Sequence, residues 1–159
     1  MAAAFVLVHG SWHGGWCWRF IAPLLGSAGH DVYTPTLTGL GSNSHLLNEI
    51  GRISLDTHVK DVTNMLFYED LSEVVLVGHS YAGMVITGIA AKEPQRLAQL
   101  VYLDAFLPFD GENEIVLWPS EQKEKYQTIL SWVLDFAHLR RQPCLGLLTP
   151  RCMNRYKKC

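Results

Sequence analysis

The chain has no apolar run approaching the ~18 residues that a membrane-spanning helix requires. Its apolar residues, 48% of 159, are therefore available for a core, and no membrane association is expected. The start, MAAAFVLVHG, has no basic flank before its short apolar stretch, so no signal peptide is expected. Cysteine is scarce: Cys17, Cys144, Cys152 and Cys159 form no C-x-x-C pair. Metal-ligand spacing is absent, neither metal nor cofactor is expected, and free thiols in a reducing cytoplasm are the reading. A net charge of −2 gives no argument for nucleic acid or an acidic membrane surface as partner. There is no internal repeat and no low-complexity tract. At this length the chain fits one domain, able to bury roughly 70% of its unfolded surface.

What is present divides in two. Residues 1–119 carry 5 Lys/Arg against 12 Asp/Glu, a net of −7, whereas residues 120–159 carry 8 against 3, a net of +5. Three of the four cysteines fall in that last quarter. We treat 1–119 as the core and 120–159 as a partial cap-like helix followed by an irregular basic tail.

The front part alternates strand and helix signals. Phe5–Val8 is a short continuous apolar run, as in a strand buried on both faces of a parallel sheet. A glycine-rich loop, residues 9–15, follows. A helix is expected over 16–28, with Trp16, Phe20 and Leu24 along one side and Gly29 closing it, although Pro23 opposes its continuity. Residues 31–35 read as a second strand and 36–52 as a loop. Ser54 then caps a helix in which Leu55, Val59, Val62 and Leu66 repeat at helical spacing up to Tyr68. Val74–Val77 is a third strand, 81–92 a third helix ended by Pro94, and Leu100–Leu103 a fourth strand. Such alternation builds βαβ units: an α/β fold with a parallel sheet and helices on both faces.

The chemistry gathers at Gly78-His79-Ser80-Tyr81-Ala82, between the third strand and the third helix. A sharp strand-to-helix turn at that place strains the serine backbone and lifts its hydroxyl above the sheet edge. The residues two before and two after must be small, because strand and helix backbones pass closely there, and Gly78 and Ala82 satisfy that need. Acyl transfer also needs fixed donors for an oxyanion. The N–H of Tyr81 is one candidate, and the loop His9-Gly10-Ser11-Trp12 after the first strand supplies another, with Gly10 letting the backbone approach a substrate.

The blocks FVLVHGSWHGGWCW, AGHDVYTPTLTGLG, VVLVGHSYAGMV and LVYLDAFLP resemble the α/β-hydrolase superfamily, in its small-esterase branch with plant methylesterases and hydroxynitrile lyases. The resemblance spans residues 4 to about 118. It implies a sheet in the superfamily's strand order 4-3-5-6, and Ser80 as nucleophile. It further implies the backbone N–H groups of Ser11 and Tyr81 as the oxyanion hole, with Gly10 and Trp12 bordering the substrate. Ala82 stands where many relatives have glycine. Hydroxynitrile lyases of this branch carry a threonine where this chain has Gly10, and a lysine beside the catalytic histidine that has no counterpart here. Esterase is therefore the reading, with lyase as an alternative.

In relatives, the acid and the histidine base follow two further strands. In this sequence His138 is the only histidine after Ser80, within a helix expected over 120–141. Asp104, closing the fourth strand, and His138 complete a Ser–Asp–His order, although a mid-helix histidine is ordinarily packed or solvated. His9 and His13 read as loop hydrogen-bonders, His79 as pointing away from Ser80, and Trp12 and Trp16 as core aromatics. Two classes of function stand: a serine hydrolase acting on small-molecule esters, impaired without a firm base, and a hydrolase-shaped binder. The short chain reads as C-terminally truncated or altered, and a homodimer is left open.

Overall fold

The computed structural model describes residues 2–48 and 53–108. Four strands, β1 (Ala4–Val8), β2 (Asp31–Tyr33), β3 (Val74–Ser80) and β4 (Leu97–Ala105), form one sheet in the order β2-β1-β3-β4. Every pairing is parallel, and the order is the expected one. Three helices connect them: α1 (Ala22–Ser27), α2 (Leu55–Tyr68) and α3 (Ala82–Lys92).

Strand alternation sorts the core into two layers. Val6 and Val8 of β1 with Val74 and Leu76 of β3 join Val59, Val62 and Leu66 of α2 and Val85, Ile86 and Ile89 of α3 in one buried cluster. The intervening Leu7 and Val77 pack on the other face with Trp18, and Leu25 of α1 lies against them. Helices thus cover both faces, which is why β1 and β3 read as unbroken apolar runs rather than alternating ones. Burying Leu66 and Ile86 fully contributes about 1.5–3 kcal/mol per side chain.

The second helix forms where its pattern places it. Ser54 is the N-cap in extended conformation, and its N–H donates to Thr57 Oγ1 at 3.2 Å, half of a capping box. Val59, Val62 and Leu66 are buried at helical spacing, while Leu55 at the first turn is exposed.

The helix expected over 16–28 needs correction. A 3-10 turn over Gly15–Trp18 and the six-residue α1 replace it, with Pro23 in the first turn of α1, where a missing N–H costs little. The break resets the phase: Trp18 is 6% exposed, whereas Trp16, Phe20 and Leu24 are 48%, 69% and 67% exposed. Trp12, also expected in the core, is 51% exposed. β4 extends beyond its expected Leu100–Leu103, and part of the loop over 36–52 winds into a 3-10 segment, Gly41–Asn48. Among the described residues no helix is long and apolar enough to cross a membrane. The helix expected over 120–141, with His138, and the basic tail lie outside the described residues.

Candidate active site

β3 runs to Ser80, and α3 begins two residues later with Tyr81 as its N-cap. The turn is so tight that Ser80 takes φ 54°, a left-handed conformation costing a non-glycine residue about 1–3 kcal/mol. Gly78 shows why the turn closes only on small residues. A Cβ placed there would lie 2.8 Å from the Ala82 carbonyl oxygen and 3.0 Å from Ile86 Cδ1. Ala82 itself is fully buried.

The parallel pairing of β1 with β3 ends at Val8 opposite Gly78, so the chain beyond Val8 runs alongside His79 and Ser80. Gly10 is where the two meet. A side chain at position 10 would begin 2.9 Å from Ser80 Cβ and 3.1 Å from the His79 carbonyl oxygen. The structure therefore brings Gly10 against Ser80, with Ser11 and Trp12 next along the same loop and Tyr81 next after the serine. Trp12 adopts φ 68°, an outlier for a bulky side chain, and its indole is half exposed.

His9 explains how that loop is held. It is fully buried; its Nε2 accepts the Leu37 N–H at 3.1 Å, so its Nδ1 carries the proton and donates to the Gly10 carbonyl at 2.8 Å. Only the neutral ring can do both, and burial accordingly holds its pKa below the ordinary imidazole value, with His13 and His58 adding to the effect against the Gly10 hydrogen bond. His13 pairs with the Ser11 carbonyl through Nδ1 at 2.8 Å, as expected for a loop hydrogen-bonder.

On the far side of Ser80, β3 and β4 slip register. His79 pairs with Leu103 but Ser80 with Ala105, leaving Asp104 as the extra residue at φ 44°. Such a bulge re-aims a side chain at the strand end. The Phe106 N–H then donates to the Ser80 carbonyl at 3.1 Å. Burial and His13 lower the pKa of His79, and Asp104 opposes them. The His79 ring stands edge-on to Trp18 and His13, with centroids 6.4 and 6.3 Å away.

Sequence reasoning missed His58. It is buried on α2, with Nε2 2.9 Å from the Thr38 carbonyl and Nδ1 2.8 Å from the Tyr81 hydroxyl. Its position one residue before Val59, on the helix's apolar stripe, was the available signal. Among the described residues no group of His, Cys, Asp or Glu could hold a metal ion.

A strained serine at a strand-to-helix turn, flanked by a glycine loop from the neighbouring strand, defines the nucleophile-elbow class of α/β fold. Residues 5–153 match the alpha/beta hydrolase family, and the chain belongs to it. It is 52% identical over 117 residues to a carbendazim hydrolyzing esterase of Nocardioides sp., covering 74% of this chain and 48% of that protein. It is 37% identical to an alpha-hydroxynitrile lyase of Arabidopsis thaliana, over 91% of this chain and 55% of that one. Among solved structures, an extracellular α/β-hydrolase from a Paenibacillus species is 32% identical with a TM-score of 0.72, covering 79% of this chain and 50% of that one. The chain thus spans about half the length of the relatives it matches.

Proposed function

We propose that the protein hydrolyses small carboxylic esters through Ser80. The observation that carries this reading is the contact between Gly10 and Ser80 at a turn where the serine is held at φ 54°. Ser80 Oγ attacks the ester carbonyl carbon, and the resulting oxyanion accepts from the N–H groups of Ser11 and Tyr81. The tetrahedral intermediate collapses with loss of the alcohol, and water releases the acid from the acyl-serine. The first turn of α3 adds its positive dipole end to the same place. Trp12, held half exposed beside Gly10, contacts the substrate. Esterase relatives support the ester as substrate class.

The base is neither His9 nor His58, whose ring nitrogens are both engaged. Asp104, bulged beside Ser80, is the candidate acid. The lyase alternative fits less well, because Gly10 offers no hydroxyl where the lyases of this branch carry a threonine. In this reading residues 1–119 form the hydrolase core and 120–159 a partial cap-like helix with an irregular basic tail. The protein works in the cytoplasm, in keeping with its unpaired cysteine spacing, without nucleic acid and as a monomer or homodimer.

A fluorophosphonate probe followed by peptide mass spectrometry tests the nucleophile. Labelling confined to Ser80 and abolished in Ser80→Ala supports the proposal; an unlabelled chain that still binds aromatic esters would make it a binder of hydrolase shape.

A further inference from the structure

We propose that His58 is a positioning residue for the oxyanion site, setting Tyr81 through its phenol and fixing it to the loop that follows β2. The inference rests on the reading of Tyr81 as an oxyanion donor. Thr38 O can only accept, so His58 Nε2 carries the proton of the neutral ring. Nδ1 is then bare and accepts from the Tyr81 O–H. The two rings meet edge to face, with centroids 5.6 Å apart. Thr38 is in turn held by Asp61: its N–H donates to Oδ2 at 2.7 Å and its hydroxyl to Oδ1 at 2.8 Å.

The chain Asp61–Thr38–His58–Tyr81 therefore ties α2, the loop after β2 and the start of α3 together. The loop is not a free anchor. Thr36 Oγ1 accepts the Gly15 N–H at 2.9 Å, and Leu37 donates to His9, which orients Gly10. Both halves of the site, Gly10–Ser11 on one side and Tyr81 on the other, are thus referenced to residues 36–38. A buried polar network with each member paired rigidifies what it joins, and oxyanion donors act only within a few tenths of an ångström of their mark. Lone packing of an aromatic at position 81 would not need a hydroxyl.

The test uses the full chain and three variants. Tyr81→Phe removes only the phenol oxygen. His58→Gln keeps an amide reaching the Thr38 carbonyl but has nothing at the Nδ1 position; His58→Asn places an amide at the Nδ1 position to meet Tyr81. The rate constant for fluorophosphonate labelling of Ser80 at saturation is expected to fall roughly ten- to a hundredfold in Tyr81→Phe and His58→Gln. The half-saturating probe concentration should stay within about threefold, and His58→Asn should recover most of the rate. In parallel, the backbone amide order parameter at residue 81 should fall in Tyr81→Phe from the ~0.85 of rigid backbone toward ~0.6, and stay unchanged in Ser80→Ala. An unlabelled parent chain would sink the nucleophile reading alone, and the order parameter would then decide this one. An unmoved order parameter, or His58→Asn failing as badly as His58→Gln at equal thermal stability, overturns the positioning role.

Discussion

Two glycine-to-alanine substitutions, one at the elbow and one in the first helix, should move stability in opposite directions. At Gly78 the added Cβ would sit 2.8 Å from Ala82 O and 2.9 Å from Ala82 C, where ordinary contacts are 3.4–4 Å. The shortfall of about 0.5 Å falls on backbone atoms, which cannot rotate aside as a side chain can, so β3 and α3 must part. Overpacking of this kind costs about 1–3 kcal/mol. In a chain of this size that lowers Tm by roughly 2–12 °C. Gly26, inside α1, has nothing within 4 Å of the same added atom. There alanine only reduces the freedom of the unfolded chain, stabilising by about 0.4–1 kcal/mol and raising Tm by roughly 1–4 °C. Scanning calorimetry on both variants and the parent chain measures the pair. Gly78→Ala melting at or above the parent temperature would refute the close approach on which the elbow depends. If Gly26→Ala also fell, the sign of the contrast would owe nothing to local space.

Further outcomes follow from the same geometry. The Cys17 thiol, pushed up to about 11 by burial, should resist iodoacetamide at about pH 8 in the folded chain and react on unfolding, read by peptide mass spectrometry; brisk native labelling would contradict it. His9 titrates below the ordinary imidazole value of 6.5 when folded, so its contribution to stability is whole above that value and drains away as pH falls through the lowered one. His9→Gln, which can still accept the Leu37 N–H, should flatten that part of the urea-midpoint profile against pH. Leu66→Ala, at a fully buried core position of α2, should cost about 2–5 kcal/mol in urea unfolding without changing where the probe labels. Hydrolysis of p-nitrophenyl acetate, followed by release of p-nitrophenolate, should depend on Ser80 as the proposed nucleophile. Ser80→Ala should lose most of that rate, and an unchanged rate would refute Ser80 as the nucleophile; an equal loss in His138→Ala would mark His138 as the base.

What could be read from residue order was what depends on local rules. The runs at Phe5–Val8 and Val74–Val77 announce strands covered on both faces, and the 3.6-residue stripe from Val59 to Leu66 announces a helix with one buried side. Gly78 and Ala82 around Ser80 are legible because steric closeness at a tight turn admits few residue types. The errors arise where a long-range partner overrides a local pattern. Trp16, Phe20 and Leu24 share a helical face only if the helix is continuous; once it breaks before Ala22, Trp18 takes the place against Leu7 and Val77. The bulge at Asp104 was invisible because register is a property of two strands, not of one. His58 went unremarked for the same reason. A histidine on an apolar stripe looks like a packed ring until Thr38 and Tyr81, 20 and 23 residues away, are seen to meet its two nitrogens. The two carbonyls that fix the tautomers of His9 and His58 belong to Gly10 and Thr38. Backbone groups carry no signature in the sequence, so the chemistry of a site can be legible while the frame that aims it is not.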